Sequence, residues 1–259
     1  MYKHLATLLL TISVFSVNGQ TKSLPAEARS FVPKGFEMLD YIPGDLNGDK
    51  KNDAILILKI VGEENSTADE ATRPFIILTR QANGKLMESK RNDDLVLCRQ
   101  CGGVFGDPYD NTTITANGFT IDFYGGSSWR WGSTYTFAWK SAKKNWYLVN
   151  EKQISYQSGD PENTTKEVQI AESELGDVSF DDYGKNVVTD QGKWMVTAAK
   201  SFFYDNPKLG SKPRKGYLLK GDQVTLVRNL TNFMEVSFEN TKGQFSSGYV
   251  LKKDLVKVN

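Results

Sequence analysis

From Trp129 to Trp139 the chain alternates without a break. Trp129, Trp131, Ser133, Tyr135, Phe137 and Trp139 fall on one side, and Arg130, Gly132, Thr134, Thr136 and Ala138 on the other. Side chains alternate in this way across a β-strand, whereas a helix repeats its apolar positions every three or four residues. The segment is therefore a strand with one aromatic and one polar face. The aromatic face serves either as the inner, core-forming side of a sheet or as a platform on which sugar rings stack. Similar short strand-like runs are Ala54–Val61, Pro74–Arg80, Leu86–Ser89, Asp94–Cys98, Thr112–Thr115, Phe119–Tyr124 and Trp146–Val149. Turn residues separate them, with Asn83-Gly84 and Asn117-Gly118 read as hairpin turns having positive φ at both central residues. Since no helix beyond two turns is expected before residue 150, the expected fold class is all-β. Residues 20–150 are expected to form an antiparallel domain, propeller-blade-like or sandwich-like.

Ahead of the second apolar run stands Asp45-Leu46-Asn47-Gly48-Asp49-Lys50-Lys51-Asn52-Asp53. Oxygen side chains at positions 1, 3, 5 and 9 of a tight loop, with a backbone carbonyl at position 7, converge on one hard cation. The expected ligands are Asp45, Asn47, Asp49, the Lys51 carbonyl and Asp53, and the expected ion is Ca2+. In an EF-hand a bidentate Glu fills position 12 and a helix follows, but here position 12 is Leu56 and Ala54–Leu58 is strand-like. The DxNxDxxxD loop followed by an aliphatic strand resembles the calcium loop of FG-GAP and VCBS-type repeats, families that carry many copies where this chain has one. Asp, Asn and Gly are also ordinary turn residues, so a plain Asx-rich turn is the alternative.

Lys3, an apolar stretch from Leu5 to Val17, and small residues at Val17 and Gly19 read as a secretory signal peptide over residues 1–19. The stretch is too short to span a bilayer and no other segment reaches the roughly 20 apolar residues required. The mature protein is expected in the periplasm or secreted, without a transmembrane segment. Loss of the leader removes His4, the only histidine, which excludes Ser-His-Asp and Cys-His catalysis and His-ligated zinc from the mature chain. Charge divides unevenly: residues 20–194 hold 20 Lys/Arg against 26 Asp/Glu, and residues 195–259 hold 11 against 5. In an exported protein such a basic region favours an anionic wall polymer, a lipid headgroup or an acidic protein over nucleic acid, unless the two oppositely charged regions simply pack together.

Residues 151–193 are polar and acidic and read as a connector, with a possible edge strand at Thr164–Ile170. From Trp194 onward the order Phe202-Phe203-Tyr204, Gly216-Tyr217-Leu218, Lys220-Gly221-Asp222-Gln223-Val224, Met234-Glu235-Val236-Ser237-Phe238 and Gly248-Tyr249-Val250 resembles a bacterial SH3 domain over residues 194–259. The family's usual Gly-Trp-Val is Gly248-Tyr249-Val250 here. The resemblance implies a small SH3-like barrel that binds peptidoglycan or a peptide. Tyr204, Tyr217, Phe233 and Tyr249 are the aromatics placed around its groove, although at least half of them are expected in the core instead.

Cys98 and Cys101 lie too close in an exported chain to be read first as anything but a disulfide. Zinc would need ligands that the mature chain lacks, and a redox pair normally opens a helix. Without histidine an enzyme would depend on paired carboxylates; Asp107, Asp110 and Asp122 lie near the aromatic strand, and nothing in their spacing selects two of them. The expected function is non-catalytic binding at the cell envelope, to a wall polymer or a peptide or protein partner. An inhibitor or immunity-type protein that binds a toxin or wall-degrading enzyme is the first alternative, and a carboxylate-dependent glycan-active enzyme the second.

Overall fold

The computed structural model describes residues 23–65, 72–184 and 192–258; the leader expected at residues 1–19 lies outside the described residues. The described residues are 56% strand and 9% helix, all-β as the alternating patterns imply. Three antiparallel sheets follow one another. Sheet A is a meander of β1 (Phe36–Gly44), β2 (Asp53–Ile60), β3 (Arg73–Arg80) and β4 (Leu86–Val96). Sheet B is a second meander of β5 (Tyr109–Thr115), β6 (Gly118–Gly126), β7 (Trp129–Lys140), β8 (Asn145–Gln157) and β9 (Lys166–Ala171).

Sheet C holds β10 (Lys193–Val196), β11 (Lys200–Tyr204), β12 (Pro213–Leu219), β13 (Gln223–Asn229), β14 (Phe233–Glu239), β15 (Phe245–Leu251) and β16 (Leu255–Lys257). Its strand order is β12-β11-β15-β14-β13-β10-β16, and it curls into an open half-barrel. The curl encloses its own core of Val196, Phe203, Leu218, Val224, Met234, Val236 and Val250.

Strands β2 and β3 are uninterrupted apolar runs because both of their faces are covered. Ile55, Ile57, Phe75 and Ile77 point into a core shared with sheet B. Ala54, Leu56, Leu58, Ile76 and Leu78 point the other way, against Ala28, Phe31 and Val32 of the N-terminal segment. Each buried Leu, Ile or Phe among them stabilises the fold by about 1.5–3 kcal/mol, which makes this doubly covered pair the anchor of the N-terminal half. In the shared core Phe75 stacks on Phe119 at 5.0 Å and Phe119 on Phe137 at 5.1 Å, with Phe180 set edge-on against Phe119 and Phe137. The aromatic side of β7 therefore forms core at Phe137, with Trp131, Tyr135 and Trp139 packed against it. Trp129, at the end of the strand, remains 51% exposed.

Two local expectations are corrected. Asn83 and Asn117 both sit at hairpins but neither has positive φ, and of the two glycines only Gly84 does (φ 79°). The first hairpin closes a wider loop, with Gln81 N–H donating to Lys85 O and Asn83 Oδ1 accepting from Lys85 N–H. At the second, Gly118 already pairs with Thr115 inside the ladder, and its missing Cβ makes room for the Phe137 carbonyl. The acidic segment after β8 is likewise more than a connector. Beyond β9 and the single turn Glu172–Leu175, Leu175 and Phe180 enter the main core, and Asn92 Nδ2 donates to the carbonyls of Phe180 and Tyr183.

Candidate metal centre

The loop between β1 and β2 is organised by its own side chains. Asp45 accepts from the backbone N–H groups of Asn47, Gly48 and Lys50 at 2.7–3.2 Å, Asn47 Oδ1 accepts from Asp49 N–H, and Asp49 Oδ1 from Lys51 N–H. The path needs left-handed backbone at Gly48 (φ 79°) and Lys50 (φ 65°). At Gly48 a side chain would also strike Asn117 Oδ1, only 2.5 Å from the position of a Cβ. At the start of β2 the buried Asp53 closes the loop: its Oδ2 accepts from Leu46 N–H (3.2 Å) and its Oδ1 from Arg80 N–H of β3 (2.8 Å).

This winding brings Asp45, Asp49 and Asp53 together, so that one carboxylate oxygen from each lies within 4.8 Å of the other two. Asn47 turns its oxygen back onto the loop, and the Lys51 carbonyl accepts from Asp53 N–H at 3.1 Å. The electrostatics are those of an acidic site at close quarters. Burial pushes the Asp53 carboxyl up, and the charges of Asp49 and Asp45 push it the same way against the two backbone donors. At Asp49 burial is outweighed by the side-chain and backbone hydrogen bonds from Lys51 and by its charge, so that this carboxyl sits low. Lys51 Nζ reaches Asp49 Oδ2 at 2.9 Å from an exposed position, where a cation could displace it without breaking the core. An all-oxygen donor set with three carboxylates suits a hard divalent cation.

The loop is also fastened to sheet B, which loop spacing does not reveal. Leu46 is buried in the main core, and its carbonyl accepts from Trp146 Nε1 of β8 at 2.8 Å. With Asn117 against Gly48, two residues of sheet B hold a loop of sheet A. No sequence signal marks either one, because the Leu46 contact joins residues 100 apart.

A disulfide joins Cys98 and Cys101 in the turn after β4, as their spacing implies. The following turn docks on the β6–β7 hairpin, where Gly126 N–H donates to Gly102 O and Val104 N–H to Gly126 O. Of the three carboxylates near the aromatic strand, Asp107 is committed to Arg73. Asp110 and Asp122 both line a shallow hollow beside Tyr124 and Gly132.

In sheet C, cross-strand register places Tyr204, Tyr217, Phe233 and Tyr249 on one face: Tyr217 is opposite Phe202, Tyr204 opposite Tyr249, and Tyr249 opposite Glu235. They do not ring an open groove, because this face packs on sheet B. Phe233 (1% exposed) and Tyr249 (5%) belong to the main core and Tyr204 lies edge-on to Phe233 at 5.3 Å. Tyr217 is the exposed member (45%), with Lys200 Nζ 4.4 Å over its ring. Arg228 bridges the two sheets: its Nη1 meets the buried Glu151 of β8 at 2.5 Å and its Nη2 meets the Tyr249 hydroxyl at 3.2 Å. Its Nε lies 3.3 Å from Glu235 but off the hydrogen-bonding direction.

No protein-family model matches the chain, and no curated protein matches it. Among the described residues no helix is long and apolar enough to cross a membrane.

Proposed function

We propose that this chain is a non-catalytic, exported binding protein of the cell envelope whose β scaffold is locked by one calcium ion. The observation that carries the reading is the convergence of Asp45, Asp49 and Asp53 within a loop that joins β1 to β2 and is fastened to sheet B through Leu46 and Trp146. Asn47 and the Lys51 carbonyl complete the oxygen set on small local shifts. A cation there neutralises three crowded carboxylates and fixes the entry to the doubly buried β2, so its effect is on rigidity and stability. An affinity in the submillimolar to millimolar range suffices for an extracellular module. The resemblance of the loop sequence to FG-GAP/VCBS-type calcium loops and of the motifs in residues 194–259 to a bacterial SH3 domain support the assignment, as does the excess of basic residues in 195–259.

Two measurements test it. Calcium added to about 100 times its Kd should stabilise the fold by about 2.7 kcal/mol, an effect lost in Asp45→Asn/Asp49→Asn and reproduced poorly by magnesium, which demands tighter octahedral geometry. Sedimentation of the full chain with purified peptidoglycan and with envelope extract, in calcium and in chelator, reads the binding role. A melting curve indifferent to calcium refutes the metal assignment, and a protein left in the supernatant in every case refutes the envelope-binding one.

A further inference from the structure

Sheets B and C do not close on each other along their whole length. Between them lies a cleft of about 760 Å³, within the size range of natural small-ligand sites, which favour such interfaces. One wall is the aromatic face of β7 and its neighbour, where Trp131 and Ser155 are cross-strand partners and Ser133 follows on the same side. The facing wall carries Tyr249, Ser247 and Glu235. Arg214 shapes that wall: its guanidinium lies against Gly248, where a Cβ would come within 3.0–3.2 Å of it, and its Nη1 donates to Ser247 O.

The charges at the cleft are largely matched within the protein. Arg214 pairs with Asp205 (2.8 Å), Glu235 faces Arg228 (3.3 Å) and Glu167 meets Lys152 (3.1 Å), with Lys166 on the edge strand besides. A strongly charged ligand would therefore find little net field, while indole and phenol rings beside hydroxyl groups remain. The walls are mostly sheet faces, which offer side chains in place of the unpaired backbone that an extended peptide uses when it adds to a sheet. Trp129 continues the Trp131 face about 7 Å further along the strand and is half exposed.

We propose that this cleft binds a neutral oligosaccharide, with sugar rings stacked on Trp131 and Trp129 and sugar hydroxyls bonded by the serines of both walls. The proposal rests on the binding-protein reading above and gives it a ligand class and a location. It also joins two sequence features: the aromatic face of β7 and, of the four sheet C aromatics singled out in the sequence, Tyr249 line opposite sides of one site.

The test is calorimetric titration of the full chain with soluble oligomers of N-acetylglucosamine and of glucose, and with a neutral peptide of similar size. Ser247→Phe fills the cleft from an exposed position, and Trp129→Ala removes an exposed ring; neither should move the melting temperature. Saturable binding of one oligosaccharide series, weakened about tenfold or more by Ser247→Phe and several-fold by Trp129→Ala, is the expected result. Oligosaccharide binding that ignores both variants overturns the proposal, as does preference for the peptide. Failure of both series to bind while the protein still sediments with envelope material overturns the cleft assignment and leaves the envelope-binding function standing; failure of every ligand removes both.

Discussion

Arg73 is fully buried and makes five hydrogen bonds: Nε and Nη2 to Glu63 (2.8 and 2.6 Å), Nη1 and Nη2 to Asp107 (2.7 and 2.8 Å) and Nη1 to Leu97 O (3.1 Å). It thereby ties the start of β3 to the short turn after β2 and to the segment that leaves the disulfide. Arg73→Met keeps the length and apolar volume of the stem but strands Glu63, whose side chain is only 3% exposed. Removing one partner of a buried pair costs about 3–5 kcal/mol, because the remaining charge has neither water nor a counter-ion. Asp107 adds little to that cost, since its side chain is 34% exposed and water can solvate it. At about 2–4 °C per kcal/mol for a chain of this size, the melting temperature should fall by about 6–20 °C. The triple variant Arg73→Met/Glu63→Gln/Asp107→Asn removes the stranded charge and should recover most of the loss. Urea unfolding and thermal melts of the wild type, the single and the triple variant decide the matter. A single variant within about 1 kcal/mol of wild type, or a triple variant no better than the single, would refute the reasoning that desolvated charge governs this cluster.

Gly48→Ala meets both a left-handed backbone and the Asn117 side chain, so it should destabilise by more than about 1 kcal/mol and weaken calcium binding, read by titration against thermal stability. Trp146→Phe removes the donor to Leu46 O while keeping most of the ring, and should lower calcium affinity together with a modest stability loss; unchanged affinity would show that the clamp from sheet B is irrelevant to the loop. Reduction of Cys98–Cys101 opens a very short loop, for which the chain-entropy model gives about 2 kcal/mol, so the protein should stay folded in reductant with a lowered unfolding midpoint. Burial raises the Glu235 carboxyl above its ordinary 4.5, against the opposing charge of Arg228. The folded state then holds this proton more tightly than the unfolded state, so the group's contribution falls as pH rises from its ordinary value through the raised one. Glu235→Gln should remove that part of the pH slope in urea melts, and an unaltered slope would rule out Glu235 as its source.

The local sequence carries a good deal of this protein. Period-2 alternation from Trp129 to Trp139 defines β7, and apolar runs with polar boundaries place β2, β3 and β6 within a residue or two, because strand pattern reflects the burial of faces. The Asx-rich loop was legible for a related reason: Asp45, Asn47 and Asp49 bond to backbone groups two to five residues on, so their geometry is written in their spacing, whereas Asp53 also takes the Arg80 N–H of β3, which spacing does not reveal. Cys98 and Cys101 are likewise neighbours, and their pairing needs no long-range information. Other elements were not legible. β1 lacks a clean alternation, and Leu175, Val178 and Phe180 are scattered among acidic residues without a strand or helix period, so nothing local marks Phe180 as core; it is buried where Phe75, Phe119 and Phe137 of sheets A and B leave a place for it.

The sequence by itself determined that the chain is all-β, where its strongest strand lies, and which oxygens gather in one loop, since each of these depends on interactions within a few residues. Tertiary structure alone decided which aromatic faces are core and which are surface. Tyr204, Phe233 and Tyr249 share a face that the sequence marks as fit for a ligand, and packing against sheet B buries most of it. A ring gains the same free energy from leaving water whether its cover is a ligand or another part of the chain, so residue type and spacing cannot distinguish the two. Only the arrangement of the sheets does, by covering Phe233 and leaving a cleft beside Trp131.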